Sequence, residues 1–284
     1  MTRRIWQSAV LALVLQGEAA LAACADGRGS IVSAGSITMG VVVDSLPFSD
    51  IVDGKGEGYM VDLCRDAVEA AAVRAEIPVP TLHEAAVAPA DRVEAVLAGQ
   101  VDILCGATTA SIDRRERGLG FSQTVFVTGA DFLSYGADPV LNVEDLVDRT
   151  VSVVTGTTTL AGLRSALGEA GVSDRVEILL VDDHPEGVQM LKDRKVAAHA
   201  GDQALLLPYL AARSPLRLGG RLNSFEPYAI ALQACDWEGL AFIDAGLSSL
   251  LRTGAVWDIF ARHFPGAEPG PLLIATFILG GVPE

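Results

Sequence analysis

The sequence predicts an α/β fold that consists of two similar lobes joined by a hinge. Short β-branched runs alternate with helical stretches in the first half of the chain, and the alternation restarts near residue 131. The two halves also share an internal echo, in which a helix, a tight turn and a strand ending in glycine recur. Strand–helix alternation of this kind is typical of parallel sheets with helices on both faces.

Each half contains three predicted strands and two predicted helices. In the first half these are the strand ITMGVVV (37–43), the helix YMVDLCRDAVEAAAVRA (59–75), the strand TLHEAAV, the helix DRVEAVLAG and the strand VDILCG (101–106). In the second half they are the strand TVSVVTG, the helix TTTLAGLRSALGEAG, the strand RVEILLV, the helix PEGVQMLKDRK and the strand VAAHAGD. β-Branched runs favour strands, whereas apolar residues at helical spacing favour amphipathic helices.

The internal echo indicates where a ligand would bind. Three positions recur at the same spacing in the two halves: Val93, Val101 and Gly106 against Val188, Val196 and Gly201. One echo alone is explained by chance similarity between two βα units, but the restart of the alternation favours two lobes. Because ligands of open parallel sheets bind beyond the carboxyl ends of the strands, we expect the site in a cleft between the lobes.

Composition excludes some classes of partner. The 284 residues suffice for two lobes, and 50% apolar with 20% charged residues is a globular composition. The formal net charge of −15 argues against a nucleic-acid partner and against a surface that rests on anionic lipid.

The N-terminus reads as a targeting segment. Arg3 and Arg4 precede the apolar run IWQSAVLALVL, and small residues then suit a cleavage site, which predicts a signal peptide over residues 1–23. The sequence LAAC also resembles a lipobox, so Cys24 is either lipidated or simply follows an exported signal. The later apolar run PLLIATFILGGV is shorter than the ~20 residues that span a bilayer, and we expect a strand or helix packed on the body. The predicted location is periplasmic, with the membrane reached only through lipid on Cys24.

The cysteines and histidines give no metal pattern. There is no CxxC motif and the four histidines are scattered, so we expect neither a metal nor a cofactor. In an oxidising compartment Cys64 and Cys105 are the expected disulfide pair, because each lies on a core-facing element of the first half. Buried free thiols remain the alternative.

Polar residues follow the predicted strands in two threonine-rich turns that lead into helices. One turn runs from Thr108 to Ser111 and precedes Arg114, and the other runs from Gly156 to Thr159. Helix N-termini favour anions, although capping alone is the simpler interpretation of each threonine. Arg114 could bind a carboxylate with both guanidinium arms, and Asp202, just past a buried strand, could receive an ammonium group.

These residues resemble a known family, the family 3 periplasmic solute-binding proteins of amino-acid ABC transporters, and within it the glutamate/aspartate-binding branch. The matching blocks cover nearly all of residues 36–265: PFSDIVDGKGEGYMVDLCRDAVEA, DRVEAVLAGQVDILCGATTASIDRRERGLGFSQTVFVTG, VVTGTTT, DDHPEGVQMLKDRKVAAHAGDQALL and FEPYAIAL. The resemblance implies two Rossmann-like lobes of the type II periplasmic-binding-protein fold. It also implies an amino-acid ligand, an ABC transporter permease as partner and a monomer without catalytic activity.

The resemblance also implies roles for single residues. Arg114 matches the arginine that holds the ligand α-carboxylate, helped by Thr109 and by Thr158 of the turn that includes Thr157. The remaining matches are an acid for the α-ammonium, a pocket histidine, an arginine for a side-chain carboxylate and a pocket wall: Asp202, His184, Arg92 and Phe48.

Three departures affect the expected side-chain site. Val42 stands where the branch has an arginine, and Ala107 and Pro89 stand where it has hydroxyl residues. The head-group site is therefore nearly complete, and we hypothesise an α-amino acid ligand whose side chain need not be acidic.

The predicted lobes divide the chain twice. The first lobe comprises residues 30–128 and 227–284, the second comprises residues 131–223, and hinge crossings fall near 128–131 and 223–227. A ligand that contacts both lobes would favour a closed state. Two alternatives are a dehydratase-type enzyme on the same fold and a sensory receptor for a separate signalling protein.

Overall fold

The structure is a computed structural model that describes residues 30–210, 214–222 and 224–283. The predicted signal peptide and the predicted lipidation site at Cys24 lie outside these residues, as does Asn223 in the second hinge crossing. Within the described chain, no helix is both long enough and apolar enough to cross a membrane.

The first lobe begins with a 3₁₀ turn (Ile31–Ser33) and continues with strands and three helices. In chain order these are β1 (Ser36–Val42), β2 (Asp50–Val52), β3 (Lys55–Glu57), α1 (Tyr59–Arg74), β4 (Thr81–Val87), α2 (Arg92–Leu97), β5 (Ile103–Cys105), α3 (Ile112–Glu116), β6 (Leu119–Phe121) and β7 (Phe126–Thr128).

The second lobe follows directly, and the chain then returns to the first. The second lobe contains β8 (Ala130–Tyr135), β9 (Arg149–Val154), α4 (Thr158–Glu169), β10 (Val176–Val181), α5 (His184–Lys192), β11 (Ala198–Asp202), α6 (Gln203–Leu206) and β12 (Leu216–Arg221). The return comprises β13 (Glu226–Tyr228), β14 (Ala231–Gln233), α7 (Trp237–Thr253), α8 (Ala255–His263) and α9 (Pro271–Gly280).

Each lobe is built on one five-stranded sheet, which confirms the predicted α/β class. The first sheet has the order β4-β1-β5-β14-β6 and the second has the order β10-β9-β11-β8-β12. In both sheets the three strands predicted from sequence run parallel, with β1 and β9 each between two partners. The remaining pairings are antiparallel: β14 runs opposite to its neighbours β5 and β6, and β8 runs opposite to its neighbours β11 and β12.

Two chain crossings connect the lobes. The strands β7 and β13 pair antiparallel, with Glu226 opposite Thr128 and Tyr228 opposite Phe126. The chain enters the second lobe immediately after β7 and re-enters the first at β13. This short ladder therefore holds the two crossings side by side.

Close packing of α1 on α7 forms the core of the first lobe. A Cβ at Gly246 would lie 1.9 Å from the carbonyl oxygen of Ala67, so only glycine permits this approach. A disulfide joins Cys64 on α1 to Cys105 on β5, with their Cα atoms 6.3 Å apart. Of the two alternatives for these cysteines, the structure contains the bonded pair.

The apolar run near the C-terminus forms the helix α9. Leu273 and Phe277 are buried against the first lobe, while Ile278 and Leu279 are exposed. The run thus forms a helix, one of the two predicted forms, and packs on the first lobe through one face.

Candidate functional site

A small closed cavity lies between the lobes, at the carboxyl ends of the parallel strands. Its volume is about 20 Å³. The lining comes from both lobes: Ser45, Pro89, Arg92, Ala107, Thr109 and Arg114 from the first, and Val154, Thr157, Thr158, Thr159, His184, Ala200, Gly201, Asp202 and Leu205 from the second. The structure therefore brings together all of the predicted ligand-site residues except Phe48.

Arg92, the first residue of α2, is a buried guanidinium with few acceptors. Its side chain is 5% exposed, and Nη1 donates to the carbonyl of Ala107 at 3.0 Å. Its Nε is buried without a hydrogen-bond partner among the described residues. Burial lowers the pKa of Arg92, while the charge of Asp202 opposes that shift. A guanidinium starts from so high a pKa that Arg92 stays cationic at neutral pH.

Arg114 lies on α3 and reaches across the cleft. Nη1 donates to the carbonyl of Thr109 at 2.8 Å, and Nη2 donates to the carbonyl of Gly156 in the second lobe at 3.4 Å. Burial, and then the positive charge of Arg92, lower the pKa of Arg114. Two buried cations thus face one cavity, and their hydrogen-bond partners in the described chain are uncharged carbonyls.

Asp202, the last residue of β11, supplies a carboxylate from the second lobe. Thr159 donates to one carboxylate oxygen at 2.8 Å, and the Tyr228 hydroxyl donates to the other at 2.5 Å. Burial, and then the nearby negative charge of Glu226, raise the pKa of Asp202 to about 6. With a pKa of about 6, Asp202 is mostly ionised at neutral pH and supplies a negative charge to the cavity wall.

Glu226 on β13 was not predicted as a site residue. Its Oε2 accepts hydrogen bonds from Thr109 of the first lobe and Thr158 of the second, both at 2.7 Å. Glu226 and Tyr228 both lie on β13, which has only three residues. A strand this short shows no periodic pattern that could be recognised in the sequence. The only sequence signal was their presence in the matching block FEPYAIAL.

His184 opens α5 immediately after the capping residue Asp183. Its Nδ1 lies 3.0 Å from Nε2 of His199, a fully buried histidine on β11. Burial, and then the charge of Arg92, lower the pKa of His184 to about 4. The imidazole is therefore neutral at physiological pH and offers one donor and one acceptor.

Thr157 lines the cavity, but its hydroxyl is already used by the backbone. It caps α4 by accepting from the N–H of Leu160 at 3.2 Å, and it donates to the carbonyl of Val154 at 2.8 Å. The simpler interpretation of a threonine in this turn, capping, therefore describes the Thr157 side chain.

Phe48, predicted to form a pocket wall, does not line the cavity. Its ring is fully buried in an aromatic cluster, with centroids 4.7 Å from Phe126 and 5.1 Å from Tyr228. Phe48 follows β1, and its side chain belongs to the hydrophobic core of the first lobe. It supports the ring of Tyr228, whose hydroxyl binds Asp202.

The three sequence departures fall in different places. Pro89 and Ala107 line the cavity, whereas Val42 is buried in an apolar cluster on β1. Two of the departures thus remove hydroxyl groups from the cavity wall itself.

Taken together, two cations and the Asp202 carboxylate line the cavity in a buried setting, and a second carboxylate, Glu226, accepts hydrogen bonds from two threonines of the cavity wall. Arg92 and Arg114 come from the first lobe, Asp202 comes from the second, and Glu226 lies on β13 of the β7–β13 ladder. Opposite charges on facing walls complement a zwitterion, which needs a cation at its carboxylate and an anion at its ammonium group.

The family model for bacterial extracellular solute-binding proteins, family 3, matches residues 37–266. The chain belongs to this family. Two curated relatives of this family 3 protein carry glutamate/aspartate names, in agreement with the predicted branch. The L-glutamate/L-aspartate-binding protein of Pseudomonas aeruginosa is 29% identical over 244 residues, which are 84% of this chain and 80% of the relative. The glutamate/aspartate import solute-binding protein of Escherichia coli is 27% identical over 281 residues, covering 96% and 92%.

Solved structures of similar fold are also amino-acid receptors. The solute receptor for L-cysteine of Neisseria gonorrhoeae has a TM-score of 0.74 at 23% identity, and the match covers 86% of this chain and 98% of that one. A mutant of the arginine-binding protein ArgBP from T. maritima has a TM-score of 0.70 at 23% identity, covering 85% and 99%. At this identity the likeness establishes the fold alone. The relatives of this family 3 chain are binding proteins rather than enzymes, so the dehydratase-type alternative is not favoured.

Proposed function

We propose that this chain captures an α-amino acid between its two lobes outside the cytoplasm and delivers it to the permease of an ABC importer. The observation that carries the proposal is that Arg114 of the first lobe and Asp202 of the second line the same closed cavity. The names of the relatives, which bind or import glutamate and aspartate, support an amino acid as the ligand.

In the proposed complex, Arg114 binds the α-carboxylate and Asp202 receives the α-ammonium. The hydroxyls of Thr109 and Thr158 donate to Glu226 in the present structure. In the complex they would donate to the ligand carboxylate instead. Arg92, with its unpartnered Nε, would meet an oxygen of the ligand side chain. Each ligand end would then satisfy a buried group that lacks a charged partner, which is where a hydrogen bond contributes most.

Closure of the lobes would accompany binding. We assign residues 30–128 and 227–284 to one moving body and residues 131–223 to the other, with the hinge at 128–131 and 223–227. The β7–β13 ladder of two short strands adjoins both crossings. A ligand that contacts both lobes has its greatest affinity for the closed state and so shifts the population toward it.

The residues that line the cavity indicate the class of ligand. The head-group residues require an α-amino acid, while Pro89 and Ala107 leave the side-chain wall with fewer hydroxyl donors than its relatives' branch would suggest. We infer that uncharged side chains are accepted beside acidic ones.

A thermal-shift screen of the purified chain against the amino acids tests the proposal. Binding raises apparent stability by RT ln(1 + [L]/Kd), so a true ligand gives a concentration-dependent rise in Tm. Calorimetry on the hits should give micromolar Kd values, about −8 kcal/mol. Failure of every amino acid to shift Tm would contradict the proposal.

A further inference from the structure

Three buried side chains form a continuous hydrogen-bonded chain from the cavity into the second sheet. Ser152 on β9 and His199 on β11 are opposite each other in the parallel register. The Ser152 hydroxyl lies 2.9 Å from Nδ1 of His199, and Nε2 of His199 lies 3.0 Å from Nδ1 of His184. We call these three residues the serine–histidine relay. Ser152 and His199 are fully buried.

The donor and acceptor roles along the relay are inferred from Ser152, the residue farthest from the cavity. In the described part of the chain, the Ser152 hydroxyl has His199 as its one hydrogen-bond partner. A buried hydroxyl that fails to donate loses the free energy of a hydrogen bond, so its proton points at Nδ1 of His199. A neutral imidazole with an acceptor at Nδ1 carries its proton on Nε2. In this tautomer His199 would donate to Nδ1 of His184, which would in turn carry its own proton on Nε2.

Both imidazoles are neutral, as this direction requires. His199 is fully buried, and burial followed by the proximity of His184 holds its pKa well below the ordinary value. Burial and the charge of Arg92 likewise lower the pKa of His184. The tautomers of the two neutral rings then depend on their hydrogen-bond partners, and Ser152 offers His199 both its hydroxyl and its backbone carbonyl.

Glycines make room for the relay at two points. A Cβ on Gly187 would lie 2.2 Å from Cε1 of His199, and a Cβ on Gly201 would lie 2.8 Å from Cε1 of His184. Any larger residue at either position would displace an imidazole ring. The absence of a side chain at these two positions thus allows the rings to lie at hydrogen-bonding distance.

The outer end of the relay faces the cavity. His184 lines the cavity, and its Nε2 has no hydrogen-bond partner among the described residues. Arg92, a second donor, faces the same cavity and lies near enough for its charge to lower the pKa of His184. Neighbouring wall residues Pro89 and Ala107 have no side-chain acceptor to offer.

We propose that Ser152 and His199 are positioning residues that fix His184 as an Nε2–H donor, so that the cavity selects amino acids whose side chain ends in an acceptor oxygen. Carboxylate and carboxamide side chains share that oxygen, whereas an apolar side chain of equal length leaves two buried donors unsatisfied. This inference rests on the proposed amino-acid-binding function, but the protonation of His184 can be measured without any ligand.

The first test is ¹⁵N NMR of the histidine rings in the ligand-free protein at neutral pH, with His184→Gln for assignment. The expected spectrum has both His184 and His199 as Nε2–H tautomers. Ser152→Ala should replace this pattern by mixed tautomers at both rings, and Ser152→Thr, which restores a hydroxyl, should recover it. An Nδ1–H tautomer at His184 in the unsubstituted protein would overturn the proposal.

The second test compares ligands of equal chain length by calorimetry: glutamate, glutamine and norvaline. The unsubstituted protein should bind the first two more tightly than norvaline, and Ser152→Ala should reduce that preference roughly fivefold to tenfold. Ser134→Ala, which removes another buried hydroxyl from the same sheet, serves as the control and should keep the preference.

The two tests distinguish failure of the proposed function from failure of the selection rule. If no amino acid binds while His184 is an Nε2–H donor, the proposed function and the selection rule fail but the relay stands. If amino acids bind with a preference that Ser152→Ala leaves unchanged, the selection rule is wrong and the proposed function stands.

Discussion

The Thr158 hydroxyl in the second lobe donates to the Glu226 carboxylate on β13 at 2.7 Å. Thr109 donates to the same carboxylate oxygen from the first lobe, and the two hydroxyls are 3.3 Å apart. One carboxylate of the chain itself therefore bridges the lobes where a ligand carboxylate would bind. We expect this internal bridge to favour a closed ligand-free state and to compete with the incoming ligand.

Replacing Arg114 by Ala should weaken amino-acid binding by about 2–5 kcal/mol, because the ligand carboxylate would be buried without its charged partner. Calorimetry with the ligand found by screening measures the loss. Arg115→Ala is the matched control, since Arg115 is exposed and stacks over Phe121 outside the cavity. Unchanged affinity in Arg114→Ala would contradict the assigned role.

Amino-acid affinity should fall as the pH drops through about 6. The pKa of Asp202 is raised to about 6 by burial and by Glu226, so Asp202 becomes neutral below that pH and no longer attracts an ammonium group. The limiting slope is about tenfold in Kd per pH unit. Titration between pH 5 and 7.5 checks this, and Asp202→Asn should bind weakly with no such slope.

Glu226→Gln should move that midpoint to lower pH. Removing the negative charge of Glu226 removes the second cause of the raised pKa of Asp202, so Asp202 stays ionised in more acidic solution. Binding curves at a series of pH values measure the midpoint. Glu238→Gln, at an exposed position on α7, should leave it in place. A midpoint that rises in Glu226→Gln would refute the electrostatic account.

Gly187→Ala should destabilise the fold, because the new Cβ would strike the buried His199 ring. The expected loss is about 1–3 kcal/mol in the free energy of unfolding, measured by urea denaturation. Gly162→Ala is the control: it lies within α4 with no atom near its Cβ position, so it should add up to about 1 kcal/mol. Equal effects of the two variants would argue against the steric reason.

Loss of the disulfide should lower stability without changing the cavity. Cys64 and Cys105 are 41 residues apart, and a crosslink of that span contributes about 2–4 kcal/mol by restricting the unfolded chain. The double variant Cys64→Ala/Cys105→Ala should show this loss in chemical denaturation and keep its ligand affinity. Cys235→Ala retains both disulfide sulfurs and should unfold close to the unsubstituted chain.

Much of the site could be predicted because parallel strands bring their carboxyl ends to one edge. Thr109 and Arg114 follow β5, and Asp202 ends β11, so alternation and strand-end position were enough to place them near each other. His184 and Arg92 were assigned through the family resemblance, and both line the cavity. These residues lie beside long or strongly patterned elements.

The residues that were missed lie where sequence patterns carry little information. Glu226 and Tyr228 belong to a three-residue strand that reaches the cavity only through the pairing of distant crossings. Ser152 and His199 lie within two neighbouring strands. The sequence does not show that they are opposite each other, because it does not give the pairing of the strands. Phe48 lies away from the cavity because its ring packs in the aromatic core, a direction that its place after β1 does not reveal.

The position of β14 has a consequence for how the molecule is made. This strand lies between β5 and β6 in the first sheet, yet it comes after the entire second lobe in the chain. During biosynthesis the ribosome must therefore complete residue 233 before that sheet can close. If the chain is exported as proposed, a nascent chain that stays incompletely folded for so long would remain available to machinery that threads unfolded polypeptides.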